Sequence, residues 1–427
     1  MKKKSLLFAT VLGLSTWAQA QNLCQGLPVN DLAPHPMQPL AKPAVYQTVT
    51  DPSFGTTIRR ISNAAPGEVI KPHYSTIQAW NADESLMILY RAGGPNGSAH
   101  LLLDGRTYQP IRTLDDIAPK DLEQIFWDWD EPNILYYPET GTENFIKYTV
   151  STQNKQILFN MRAVSGCSGS IALGNDVQML SRDADHVQFR CGNETAYSYQ
   201  ISTQQLTTFA IAPNPLNWVA PAIGYNGQRF YHNTKVYNTD GSLALSLNEH
   251  KTEHHSMGQL SNGHDGLLSV AFAEGPQGGC LGNIVAHDLE TGSCFNIISQ
   301  EQDYAYPKTG THMSGLAYKN SEPGWLAASM IGYQEDGQAL LDQELVIAKA
   351  DPNNPIVCRI GHHRSDENEF DYWGEPHATI SPSGTRVLFA SDWSGSEDGR
   401  SVDAYVVELP AYQNTTESVL FADSFEQ

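Results

Sequence analysis

Pro376-His-Ala-Thr-Ile-Ser-Pro-Ser-Gly-Thr-Arg-Val-Leu-Phe-Ala-Ser391 reads as one structural phrase. A short strand meets a Ser-Pro-Ser-Gly turn, and an apolar strand, Val387–Ala390, follows. A second hairpin ends in Ala404-Tyr-Val-Val-Glu-Leu409. Strand, tight polar turn, strand, loop, strand is the build of one blade of a β-propeller.

Weaker copies precede it. The stretches beginning at Asn81, Trp129, Leu173, Tyr225, Gly263 and Glu322 each join a polar turn to an apolar strand. Each is followed by a second strand, at His100, Phe145, Ala196, Thr234, Asn283 and Glu344 respectively. The copies make about seven units, roughly 40–60 residues apart. One such sheet cannot bury both of its faces. Stacking the sheets radially solves this and leaves only short edges. The expected fold is therefore all-β, a seven-bladed β-propeller of four-stranded antiparallel blades over residues 56–410. Thr57-Ile-Arg-Arg-Ile-Ser62 is placed to supply the outer strand of the last blade and close the ring. Residues 21–55 read as a Pro-rich lead-in and 411–427 as a polar tail.

Composition agrees. The 427 residues are 40% apolar and 17% charged, enough for a sizeable core. No long 3.6-residue period appears, which excludes a helical bundle and a doubly wound α/β fold. The net charge of −21 argues against nucleic-acid binding and against docking on anionic lipid. Residues 1–20 have the pattern of a signal peptide. Lys2, Lys3 and Lys4 precede an apolar run from Leu6 to Leu14, and Ala18-Gln-Ala20 fits a cleavage site. The expected location is periplasmic or secreted. Six cysteines in an exported chain point to disulfides. Cys167 with Cys191 and Cys280 with Cys294 are the local pairings, and Cys24 with Cys358 is what remains. The Cys280–Cys294 pairing conflicts with a turn at Asp288–Ser293, which does not set the two opposite each other.

A histidine recurs at the start of the first strand of a unit, at His73, His254-His255, His312 and His377. First strands are innermost, so these imidazoles are expected to converge on the mouth of the central channel. Neutral imidazoles gathered in this way suit a divalent metal. In another unit the same slot falls near Gln124, an oxygen ligand. Loops on the same face carry Tyr306, Lys308, His363, Arg364, Tyr372 and Trp373, and the middle-hairpin loops carry Arg91, Trp393 and Arg400. Arginine can fork onto a sugar carboxylate, and Tyr and Trp stack on sugar rings.

The phrase at 377–391 resembles the blades of TolB-like and oligogalacturonate lyase-like propellers. Oligogalacturonate lyases hold a manganese ion over a seven-bladed propeller with several histidines and a glutamine. Related secreted propellers cleave other acidic polysaccharides such as ulvan. Carried over, the resemblance makes His255, His312 and His377 metal ligands, with His73 or Gln124 as a fourth. The metal is expected to be manganese or calcium. The implied activity is β-elimination on a uronic acid within an acidic polysaccharide or oligosaccharide, by a monomeric enzyme.

β-Elimination needs a cation for the carboxylate, a base for the α-proton and an acid for the leaving oxygen. The metal or Arg364 would neutralise the carboxylate. His363 or His73 would be the base, and Tyr372 or Tyr306 the acid. Arg91, Lys308, Trp373, Trp393 and Arg400 would bind the substrate. The competing reading is a non-catalytic glycan- or protein-binding propeller. A glycoside hydrolase would need two opposed carboxylates, and Asp303 and Asp392 are the available pair.

Overall fold

The computed structural model of the chain describes residues 22–172, 178–192, 195–210, 221–366, 371–394 and 401–412. The signal-peptide segment, Arg400 and the tail from residue 413 on lie outside them. The described chain is a ring of seven antiparallel sheets.

Blade one comprises Glu68–Lys71, Leu86–Gly93, Ala99–Asp104 and Pro110–Thr113. Blade two is Phe126–Trp127, Ile134–Pro138, Asn144–Thr149 and Asn154–Asn160. Blade three is Ile171–Ala172, His186–Cys191, Thr195–Gln200 and Gln205–Ala210. Blade four is Ala222–Ile223, Arg229–His232, Lys235–Asn238 and Leu243–Ser246. Blade five is Glu249–Gln259, Asp265–Glu274, Gly282–Asp288 and Cys294–Ile298. Blade six is His312–Ser314, Trp325–Met330, Glu344–Lys349 and Ile356–His362. Blade seven is Thr379–Ile380, Arg386–Ser391 and Asp403–Glu408, completed by Thr57–Arg60 from the other end of the chain.

Closure occurs as the sequence implies. Thr57 pairs with Glu408, Ile58 with Val407 and Arg60 with Tyr405. Blade seven has one strand more than expected, because Thr48–Thr50 of the lead-in pairs along Thr57–Arg60. The second strand of blade three is also a correction. Its polar turn is Ser181–Asp185 and the strand is His186–Cys191, beyond the stretch beginning at Leu173. Val187 and Phe189 alternate there with polar residues, which is the strand signal.

The period of two along each strand builds the core. Val387, Phe389, Tyr405 and Val407 of blade seven pack with Ile347 and Ile360 of blade six. Their neighbours Leu388, Ala404 and Val406 point the other way, onto Met87 and Leu89 of blade one. Each sheet thus buries both faces between two neighbours. The turns are closed by aspartates that accept backbone N–H groups, such as Asp104, Asp128, Asp288 and Asp351. Gly384 takes a φ of 83° at the Ser-Pro-Ser-Gly turn, a region open to glycine.

The lead-in stitches blades six and seven together. Leu23 enters their shared core, Val29 bridges Cys358, and Cys24 is disulfide-bonded to Cys358. Further on, the carbonyls of Asp31 and Ala33 accept from Arg359, whose guanidinium also grips Glu344 at 2.6 and 2.8 Å. The Gln38 carbonyl takes Arg364, and the Leu40 carbonyl takes the Trp393 indole.

Cys167 pairs with Cys191. The Cys280–Cys294 bond forms as well, against the hairpin argument. The hairpin does set Cys294 opposite His287, but the loop before Gly282 folds back and packs Cys280 beside Ala271 and Val285. Disulfides persist in oxidising compartments. Among the described residues no helix is long and apolar enough to cross a membrane.

A disulfide across 334 residues restrains a long loop of the unfolded chain. Cys24→Ser should cost about 2–4 kcal/mol of stability. Calorimetry of wild type and variant, each with and without reductant, measures this. The variant should unfold earlier under oxidising conditions.

Candidate functional site

The inner strands begin at one face of the ring, and three of the histidines meet there. The rings of His254 and His312 stack at 4.2 Å between centroids, and those of His312 and His377 lie 4.4 Å apart. They come from the inner strands of blades five and six and the entry to that of blade seven. The close approach has a local cause. Gly258 and Gly315 bridge the inner strands of blades five and six, and a Cβ on Gly315 would stand 2.8 Å from the Met257 carbonyl oxygen.

Which of two adjacent histidines faces the mouth is decided by a bulge. Between Glu253 and Ser256 the strand carries one residue more than its partner, and His254 adopts a φ of 52°. His254 turns inward, with Nδ1 bonded to the Thr311 carbonyl at 2.9 Å. His255 faces away, 3.0 Å from the Thr252 hydroxyl and packed on the Tyr231 ring. The alternation also separates His73 from Tyr74. Tyr74 lies edge-on to both His312 and His377, while His73 stacks on His100 and lies tilted against Tyr90 beneath the surface.

Glu375 completes the cluster. Its Oε2 stands 3.1 Å from His377 Nε2 and 3.6 Å from His312 Nε2. Ligand atoms of these three residues all lie within 4.8 Å of one another. His312 donates Nδ1–H to the Gly310 carbonyl at 3.0 Å, so its Nε2 is a bare lone pair. Burial holds His312 and His377 well below the usual histidine range, with Lys71 adding to the effect in both. His377 Nε2–H donates to that carboxylate oxygen, while the bare His312 Nε2 faces the same oxygen. A carbonyl-anchored imidazole beside a carboxylate is a common form of a metal-ligating histidine.

Lys71 sets the position of Glu375. Its Nζ donates to the carbonyls of Tyr372 and Glu375 at 3.3 and 3.0 Å and lies 5.1 Å from the centroid of the Tyr372 ring. Beside the cluster is a cleft of about 240 Å³ lined by Tyr90, Asp121, Leu122, Glu123, Tyr372 and Trp373. The Tyr372 hydroxyl donates to Glu123 at 2.6 Å, and its ring stands 5.1 Å from His377. Burial, then the Glu123 charge, pushes the Tyr372 phenol far up, so it keeps its proton. His100 anchors this wall by bonding the Leu122 carbonyl at 2.7 Å.

At the opposite end of the inner strands, Trp129, Tyr225 and Tyr318 come from turns after those of blades two, four and six; Trp129 stacks on Tyr318 and meets Tyr225 edge-on.

The other expected residues lie as follows. Gln124 is buried on the loop that carries Glu123. His363 is buried with both nitrogens held by backbone, Nε2 by the Met330 carbonyl and Nδ1 by the Ser365 N–H. Arg364 reaches the Gln38 carbonyl over Trp393, and Trp393 stacks on Tyr405 in the core. Arg91 ties its own hairpin loop through the carbonyls of Gly97 and Asn96. Tyr306 and Lys308 lie over blades five and six, where Lys308 pairs with Glu335. His232 and His287, outside the cluster, are also buried. Glu375, Lys71 and Glu123 carried no repeat signal. Glu375 alone had a local one, since it stands two residues before His377.

The fold is thus a seven-bladed propeller with a histidine cluster at one end of its inner strands. No protein-family model and no curated protein matches the chain. Among solved structures it is similar to an oligogalacturonate lyase in complex with manganese, with a TM-score of 0.58 and 15% identity over 86% of this chain and 97% of that one. It is also similar to oligogalacturonate lyase from Vibrio parahaemolyticus, with a TM-score of 0.57 and 14% identity over 85% and 96%. The chain therefore shares the seven-bladed propeller fold of those lyases.

Burial pushes His363 down to about 3. Above pH ~6.5 both folded and unfolded states are neutral here. Below it the unfolded chain binds a proton that the folded chain refuses, so stability falls with pH by about 1.4 kcal/mol per unit. In His363→Asn, the slope of unfolding free energy between about pH 6 and 4 should be shallower by that amount. Urea titrations at stepped pH read it, and an unchanged slope would mean the ring accepts a proton in place.

Proposed function

We propose that this protein is an exported, metal-assisted polysaccharide lyase acting on a uronic-acid glycan. The observation that carries the reading is the placement of Glu375 Oε2 against Nε2 of both His312 and His377 at the open mouth. His312, His377 and Glu375 would hold the ion, with His254 stacked on His312. A divalent cation there, manganese or calcium, supplies positive charge for a substrate carboxylate in an otherwise acidic molecule.

The chain's own groups do the proton work. His254 keeps Nδ1–H on the Thr311 carbonyl and offers Nε2, and burial lowers its proton affinity so that it is neutral. It takes the proton α to the carboxylate. The electron pair of that C–H bond forms the new double bond as the C–O bond breaks. Tyr372 gives its phenolic proton to the leaving oxygen. Lys71, held by the Tyr372 and Glu375 carbonyls, fixes both residues in place. Tyr372 and Trp373 cover the sugar. This moves the base from His363 and His73, which are buried away from the mouth, to His254. It keeps Tyr372 as the acid in preference to Tyr306, because Tyr372 lines the cleft and its ring packs on His377.

The second reading is a non-catalytic glycan-binding propeller. Asp121 and Glu123 favour it, because carboxylates lining the cleft repel a uronate.

Elemental analysis of wild type beside His312→Ala, His377→Ala and Glu375→Ala tests the ion. The wild type should retain a divalent metal, and each variant should bind it at least about 10–100-fold more weakly. Activity is read as ultraviolet absorbance of the unsaturated uronide on pectin, alginate, ulvan and glycosaminoglycans. Tyr372→Phe should lower kcat about 10²–10⁴-fold. Binding that survives chelation, with no absorbance on any substrate, selects the binding module.

A further inference from the structure

The exposed aromatic side chains are not scattered. Among the described residues, Tyr306, Tyr333, Tyr372 and Trp373 are the strongly exposed large aromatics, at 41%, 52%, 36% and 40%. All four stand on loops at the mouth face. The exposed large aliphatics lie elsewhere, Ile111, Ile157 and Leu243 on outer strands and Val29 and Leu32 on the lead-in. Tyr372 and Trp373 border the cleft. Tyr306 and Tyr333 form a separate pair over blades five and six, on the far side of the histidine cluster.

Both rings of that pair are held by their tips. The Tyr306 hydroxyl donates to the Phe272 carbonyl, and the Tyr333 hydroxyl donates to the Pro307 carbonyl at 3.1 Å. The phenols are fixed while the ring surfaces stay in water. Rings so restrained lose little freedom when a ligand covers them. Lys308 stands beside them, 5.8 Å from the Tyr333 ring centroid and 2.9 Å from Glu335. Fixed aromatic faces flanked by a cation and a carboxylate match a sugar ring, with its apolar C–H face and hydroxyl rim.

The platform is braced to the site. Past Tyr306 the same loop bonds Thr309 to Glu253, the Thr311 carbonyl to His254 and the Gly310 carbonyl to His312. The six residue steps from Tyr306 to His312 span at most about 20 Å. One segment thus orders the cluster at its inner end and presents the platform at its outer end.

We propose that Tyr306 and Tyr333 form a distal sugar-binding platform. The mouth then takes a long glycan laid across the histidine cluster, from this platform to the Tyr372–Trp373 cleft, in preference to a short oligosaccharide. The inference rests on the glycan reading above and names the length of chain that the site selects.

The test uses the full chain with polygalacturonate and alginate, each as polymer and as trimer. Calorimetric titration gives Kd, and uronide absorbance gives KM and kcat. The double variant Tyr306→Ala/Tyr333→Ala should weaken polymer Kd or raise polymer KM about tenfold. Trimer binding, metal content and thermal midpoint should not move. Equal losses on polymer and trimer, or no loss on polymer, would overturn the platform and leave the glycan reading standing. A wild-type protein that engages none of pectin, alginate, ulvan and glycosaminoglycans, as polymer or as trimer, overturns both.

Discussion

The pairing of Thr57–Arg60 with Asp403–Glu408 is the contact on which the rest depends. A propeller blade is stable only between two neighbours, and the first and last blades gain theirs when the ring shuts. Closure here joins residues about as distant as this chain allows. It is then backed by the lead-in, the Cys24–Cys358 bond and the buried grip of Arg359 on Glu344. Only a closed ring points the starts of inner strands at one another. His254 and His377 are 123 residues apart in the numbering and reach the same corner for that reason.

The mouth departs from what stability alone would choose. The bare His312 Nε2 faces the Glu375 carboxylate in a buried corner, and His254 and His377 both hold positive φ angles. Buried polar groups ordinarily find complementary partners, and such backbone conformations persist where the surroundings over-determine them. Here the surroundings are the Gly258–Gly315 contact, the carbonyls of Gly310 and Thr311, and Lys71. The framework holds these groups together in advance.

Charge frames the functional problem. A chain of net charge −21 repels a polyanion at long range. Under the proposed function, a uronate would be held by local features: a cation at the cluster and aromatic faces that do not depend on charge. Tyr372 joins these features, since its ring packs on His377 and its hydroxyl bonds Glu123.

The periods, turns and cysteine spacing were enough to read the number of blades, the closing strand and the Cys167–Cys191 bond. These are local or repeated features, and each follows from side-chain chemistry at fixed spacing. The choice of His254 over His255 was not legible, because one inserted residue in the strand reverses which neighbour points inward. The Cys280–Cys294 bond was hidden by a loop that folds back across its own sheet. Glu375, Lys71 and Glu123 recur in no other unit, so the repeat could not mark them. Arg364 and Trp393 look like ligand-binding residues on paper and serve instead to hold the lead-in. The sequence by itself determined which residue types stand at the ends of the inner strands. Tertiary structure alone decided which of them meet, because bulges, crossing loops and contacts between distant blades set side-chain direction.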